Sequence, residues 1–334
     1  MLACGAAGPR MRRAFKGNSQ VDSGQRFAQI RSKMVLPVVA APMFLVSGPE
    51  LVLAACRAGI MGSFPAPNAR TVDVLADWMA HITADLAAAR AAEPDSMIAP
   101  WAQNLVVHST YGRLRAELDL LDRFRPPVVI TALGSPKAAI EVVHGYGGLV
   151  FADVNSVELA RKAAATGIDG LALVCAGAGG HTGSMAAFSF VPAVREFFDG
   201  ILIVAGGICD GRGVRAAEVL GADLVYMGTR FIAAQESLAV PAYKQMVVDA
   251  TFADLVMSDS FTGAKAYYLR QSIERAGYDP KALTPGQGMN LSGAQQKVKA
   301  WKDIWSAGQG VGLVHAIEPV AAIVARLRDE YAAG

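Results

Sequence analysis

Eight short apolar runs, separated by alanine-rich stretches of helical spacing, constrain this chain more than any other feature of its sequence. The runs are LPVVAAPM (36–43), GIMGSF (59–64), WAQNLVV (101–107), PPVVIT (126–131), GGLVFADV (147–154), GLALVCA (170–176), ILIVAGG (201–207) and DLVYMG (223–228). Between them lie stretches such as TVDVLADWMAHITADLAAARAA and SVELARKAAATG. Strands that are apolar throughout, rather than alternating, are buried on both faces, which is the condition of a parallel sheet covered by helices. Short apolar runs alternating with helical patterns therefore predict βαβ units. Eight such units predict a closed (β/α)8 TIM barrel rather than an open doubly wound sheet.

Helix punctuation agrees with that reading. Gly59, Gly147, Gly167 and Gly221 stand where helices should end before the next strand. ATGIDGLAL and VLGADLVYMG repeat one helix–Gly–Asp–strand join, a weak internal repeat. After the eighth run the rhythm breaks. Residues 249–310 hold polar helical stretches, YYLRQSIERAG and SGAQQKVKAWKDIW, around the turn-rich DPKALTPGQG. They predict a small helical subdomain inserted after strand eight. In EPVAAIVARLRDEYAAG, the apolar positions 320, 323, 324 and 327 form a helical stripe that should pack back on the barrel. The expected organisation is an extension over 1–27, a barrel over 28–248 plus 311–334, and the insert between.

Composition narrows the function classes. Apolar residues are 53% and charged residues 18%, enough for a large core and too apolar for a disordered chain. The net charge of +2 argues against nucleic-acid binding, which needs a basic surplus. No run of about 18 uncharged apolar residues predicts a membrane span. Cys4, Cys56, Cys175 and Cys209 lie far apart with no CxxC pair, so neither a structural zinc site nor a disulfide framework is expected, and the reading is a reducing, cytoplasmic compartment. Residues 1–27 carry arginines at 10, 12 and 13 but no apolar block of the kind a secretory signal needs; they read as a disordered extension.

Barrel enzymes carry their chemistry at the C-terminal ends of the strands. Those ends hold APMF (41–44), Gln103–Asn104, Asp153, CAGAGGHTGS (175–184), AGGICDGRG (205–213) and YMGTRF (226–231). The last two follow strands seven and eight, where barrels often bind phosphate. Gly206 and Gly207 let backbone N–H groups approach an anion, and Gly228 and Thr229 repeat this with a hydroxyl. Tight turns alone are the plainer explanation of the same glycines. No GxGxxG follows a strand and no P-loop occurs. His81 and His144 lie in helical patterns and read as structural. His181, between Gly179–Gly180 and Thr182–Gly183, is either a general base near neutrality or a loop histidine bonding phosphate or backbone. Asn104 is either a ring-edge hydrogen-bonding amide or a strand-end turn residue, and Met43 either an aromatic contact or a core methionine.

Taken together, APMF, the Asn104 strand end, AGGHTG (178–183), AGGICDGRG, GADLVYMGTRF (221–231) and AGQGVGL (307–313) resemble the nitronate monooxygenase family, FMN-dependent barrels formerly called 2-nitropropane dioxygenases. The resemblance spans about residues 34–331. It implies FMN as cofactor, and oxidation of alkyl nitronates by O2 to a carbonyl compound and nitrite. It implies His181 as catalytic base or anion stabiliser. Met43, Asn104, Gly179 and Gly180 would lie beside the flavin, and Gly206, Gly207, Met227, Gly228 and Thr229 would form the phosphate cradle. The expected partners are a small-molecule substrate and O2, with no metal, no nucleic acid and no membrane; a homodimer stays open. Val174 and Tyr226 stand where well-studied members have glutamines, and Asp153 where some have a lysine. The alternative is an NAD(P)H-dependent flavin reductase acting on quinones or enoyl thioesters. A non-redox sugar-phosphate barrel lacks the expected Lys/Glu set.

Overall fold

A computed structural model describes residues 23–286 and 301–334. Its strands are β1 (Val38–Ala40), β2 (Met61–Pro65), β3 (Trp101–Val106), β4 (Val128–Ala132), β5 (Leu149–Val154), β6 (Gly170–Val174), β7 (Gly180–His181), β8 (Ile201–Ala205), β9 (Leu224–Met227), β10 (Leu255–Ser258) and β11 (Ala266–Leu269). Eight of them close a parallel barrel in the order β1-β2-β3-β4-β5-β6-β8-β9. Closure is made by β1 and β9, with Val38 opposite Val225 and Ala40 opposite Met227. Each barrel strand coincides with one of the eight runs, β2 and β4 extending one residue beyond theirs.

Alternation along the strands sorts their side chains into two cores. Val39, Met61, Ala102, Val128, Ile130, Leu149, Phe151, Ala172, Ile203 and Leu224 fill the barrel interior. The intervening positions, such as Val129, Val150, Leu171 and Val225, pack outward against the helices. Both sets are buried, which explains why the runs read as apolar throughout.

The repeated Asp join has a physical basis. Asp169 accepts from the backbone N–H of Val150, and Asp223 from that of Leu202. Each carboxylate thus ties a helix-to-strand turn to the start of the preceding barrel strand. Each also holds one cation-capable partner: His144 at 2.8 Å and Arg195 at 2.7 Å. His144 is therefore structural, as its helical setting predicts.

Residues 1–22 of the expected extension lie outside the described residues. Residues 23–27 correct that expectation, because a helix runs Ser23–Arg31. It stoppers the N-terminal end of the barrel, where Phe27, Ile30 and Met34 join the interior core. Phe27→Ala should cost about 3 kcal/mol, the lower range for deleting a buried ring. Denaturant unfolding measures this, and a loss under about 1 kcal/mol would show that the stopper is dispensable.

The insert after β9 is mixed rather than helical. It contains the helix Arg270–Arg275 but also the antiparallel pair β10–β11, and β11 pairs with β7. In YYLRQSIERAG the first three residues belong to β11, because Ala266 and Tyr268 face an aromatic cluster that a strand can bury on one side. Residues 287–300, most of the second helical stretch, lie outside the described residues. The C-terminal helix Val320–Ala333 does pack back: Val320, Ile323, Val324 and Leu327 are all buried.

Candidate active site

Residues from six strand ends converge at the C-terminal mouth of the barrel. The loop after β1 is held rigid by Asn68, whose side chain accepts from Leu45 N–H at 2.8 Å and donates to the carbonyls of Met43 and Ser47. That loop brings the Met43 thioether to 3.5 Å from where a Cβ on Gly228 would lie. Met43 and Gly228, far apart in sequence but just beyond the paired strands β1 and β9, thus lie side by side.

The loops after β8 and β9 form the proposed anion cradle. Gly206 and Gly207 have φ of +132° and +71°, values that favour glycine. A Cβ at Gly207 would enter open space. Gly228 begins a short turn of helix, Thr229–Ile232. Thr229 Oγ1 accepts from Gly308 N–H at 2.8 Å, which uses a lone pair and leaves the hydroxyl proton to donate. Bare backbone, one hydroxyl and open volume beyond Gly207 are features that fit a phosphate monoester. The DGRG portion of the motif has a different task. Asp210 caps the helix Gly211–Leu220 by accepting from Gly213 N–H, and a Cβ on Gly211 would lie 2.4 Å from Leu327 O of the C-terminal helix. Arg230 is buried and paired with Glu318 at 2.5 Å, so neither a surface role nor a free charge applies to it.

The glycine loop after β6 is stitched to residues 306–309. Gly180 N–H donates to Ser306 Oγ at 2.7 Å, and Gln309 N–H donates to Gly177 O at 2.9 Å. A Cβ on Gly179 would come 2.7 Å from Gly308 N. Gly179 is therefore required by close passage of two backbones. AGQGVGL marked this segment in the sequence, but its spacing gives no hint of which loop it would meet.

His181 lies on β7, paired with Ala266 of the insert. Its ring sits edge-on to Trp301, with centroids 5.4 Å apart. Nε2 is 3.2 Å from Thr262 Oγ1, and that hydroxyl also donates to Ala264 O at 3.0 Å. In the tautomer that donates Nε2–H to Thr262, Nδ1 keeps a bare lone pair able to accept a proton. Burial holds the histidine below its usual pKa, so it is neutral and able to take a proton at pH 7. Thr262 was not legible in the sequence, because a threonine 81 positions away has no signature beside His181.

Asn104 points into the barrel and donates to Asp153 Oδ2 at 3.4 Å. Tyr226 reaches Asp153 Oδ1 at the same distance from the other side. Among the described residues there is no group of three or more His, Cys, Asp or Glu side chains that could hold a metal, and no helix long and apolar enough to cross a membrane.

A family model described as nitronate monooxygenase matches residues 27–330. A nitronate monooxygenase of Neurospora crassa is 33% identical over 228 residues, 60% of this chain and 58% of that protein. One of Paraburkholderia phytofirmans is 26% identical, covering 88% of this chain and 92% of the relative. The chain thus spans less than two thirds of the Neurospora relative and nearly all of the Paraburkholderia one. Among solved structures, FabK from Thermotoga maritima superposes with a TM-score of 0.71 at 26% identity, covering 92% of this chain and 96% of that one. A nitroalkane oxidase from Streptomyces ansochromogenes gives a TM-score of 0.72 at 24% identity, covering 91% and 98%, which supports the barrel fold.

Proposed function

The chain belongs to the nitronate monooxygenase family, and from that membership and the setting of His181 we propose that it oxidises alkyl nitronates with O2 to a carbonyl compound and nitrite, with FMN as cofactor. The observation that carries this reading is an imidazole at the end of the glycine loop after β6, hydrogen-bonded to Thr262 and held below its usual pKa by burial.

Each part of the chain has a definable task. The loops at Gly206–Gly207 and Gly228–Thr229 bind the phosphate through backbone donors. The Met43 thioether, packed near Gly228, offers a soft surface to the cofactor. FMN supplies the electron chemistry that protein side chains lack. His181 Nδ1 accepts a proton from the carbon of a neutral nitroalkane, or as imidazolium stabilises the anion so formed. Thr262 bonds Nε2, which leaves Nδ1 as the nitrogen that accepts the proton. The β10–β11 pair, with Phe261, Tyr268 and Trp301 packed beneath it, walls the histidine from bulk water.

Rapid mixing without O2 tests the reading. Protein loaded with FMN should lose its yellow absorbance on mixing with propionate-3-nitronate and keep it with NADH. Admitting O2 should restore the colour and release nitrite. Fast bleaching by NADH with no nitrite from the nitronate would overturn the proposal in favour of a reductase acting on quinones or enoyl thioesters.

A further inference from the structure

One polar cluster at the mouth has no part in the chemistry above. By strand alternation Asn104 on β3, Asp153 on β5 and Tyr226 on β9 all point into the barrel at its uppermost interior layer. Asp153 sits between the other two, and both hydrogen bonds to it are long, 3.4 Å each. On the strands flanking β5 the corresponding inward positions are Ala132 and Val174, which carry no charge. Ala205 of β8 is apolar as well. Tyr226 is the other titratable group facing Asp153, and burial beside that carboxyl raises its pKa well above normal, so it stays neutral. Among the described residues, no ion pair includes Asp153.

A carboxylate in this position has two weak donors and no cation, inside an apolar cup. Those conditions favour the neutral acid. Burial pushes the Asp153 carboxyl up to about 7, against the smaller opposing effect of its bonds to Tyr226 and Asn104. The residue keeps partial exposure.

We propose that Asp153 is a positioning residue whose proton links pH to the cofactor: as a neutral acid it tolerates negative charge on a ring bound in the mouth, and as a carboxylate it repels that charge. This inference rests on the reading that FMN binds in the barrel mouth. The ring becomes more negative on reduction, so ionised Asp153 disfavours the reduced cofactor relative to the oxidised one. Below the pH at which Asp153 ionises, the penalty disappears. Tyr226 and Asn104 set that pH by donating to the carboxylate.

Two measurements test this, one without cofactor. A native carboxyl that holds its proton more tightly than the unfolded chain does contributes stability fully present below about pH 4 and lost as pH rises through about 7. Wild-type apoprotein should therefore lose stability relative to Asp153→Asn between pH 5.5 and pH 8.5. The second measurement is the two-electron midpoint potential of the FMN-loaded proteins over the same range. Asp153→Asn should favour the reduced cofactor by about tenfold at pH 8.5, read as about +30 mV, and match wild type at pH 5.5. Tyr226→Phe removes a donor to the carboxylate and should move the pH midpoint upward. Equal pH dependence of stability in wild type and Asp153→Asn would overturn the titration. An offset in potential that is the same at both pH values, or none, would overturn the link to the cofactor. Failure of wild-type protein to take up FMN would overturn the FMN reading and this inference with it, whereas normal uptake without the pH-dependent offset would overturn the inference alone.

Discussion

His181→Asn should lower kcat/KM for a neutral nitroalkane by about 10²- to 10⁴-fold while FMN remains bound, the usual range for losing a positioned general base. The size follows from geometry. Nδ1 is the ring nitrogen without a hydrogen-bond partner among the described residues, while Nε2 lies 3.2 Å from Thr262 Oγ1. Asparagine keeps a similar volume against Trp301 but cannot accept a proton at neutral pH. A preformed nitronate has already lost its proton, so turnover of nitroethane should fall far more than turnover of ethyl nitronate in the same variant. The pH profile gives a second check. Burial lowers the histidine pKa, so the acid limb for nitroalkane should lie below the ordinary histidine range and vanish in His181→Asn. Thr262→Val removes the acceptor for Nε2–H without touching the substrate side. It should cost roughly tenfold through loss of the fixed tautomer. Activity within a few-fold of wild type in His181→Asn would remove the histidine from the chemistry.

The barrel was legible because its cause is local. Eight runs apolar at most positions on both faces can be buried in no simpler way than in a closed parallel sheet between its own side chains and a ring of helices. The glycines that end helices were legible for the same reason: Gly59, Gly147, Gly167 and Gly221 all adopt positive φ. What escaped is what depends on contacts between distant segments. The segment 267–269 has helical neighbours in sequence but becomes β11, since β7 and β10 offer it partners. What the sequence did not reveal is that the bare α-carbons of Gly211 and Gly179 also admit Leu327 O and Gly308 N of segments more than a hundred residues away. Tyr226 and Asp153 read as separate departures from a family pattern, and their hydrogen bond across the barrel joins them into one feature.

Gly228→Val should yield a folded protein that has lost most of its FMN, and the position separates these two outcomes unusually well. Gly228 has φ of −100°, a value any residue adopts, and an added Cβ would touch Met43 Sδ at 3.5 Å and Ala41 Cβ at 3.7 Å, ordinary van der Waals contacts. The fold therefore has room for a Cβ at this position. The cofactor does not, because the two extra methyls would stand over the start of the turn Thr229–Ile232, where a phosphate oxygen must approach backbone N–H. The neighbouring glycines make poorer probes. Gly206 at φ +132° would bring a Cβ to 2.8 Å from Ala176 O, and Gly207 at φ +71° would be strained whatever the space, so either substitution confuses unfolding with weak binding. Hydrogen bonds to a charged group are worth about 1.5–3 kcal/mol each, so losing one or two weakens FMN on the order of a hundredfold. Thermal unfolding of the apoprotein should stay within about 1 kcal/mol of wild type. Riboflavin, which has no phosphate, supplies the control: wild-type protein should prefer FMN strongly, and Gly228→Val should lose that preference. A variant that kept both its FMN content and its preference for FMN over riboflavin would place the phosphate elsewhere and leave Gly228 as a tight turn with no ligand above it.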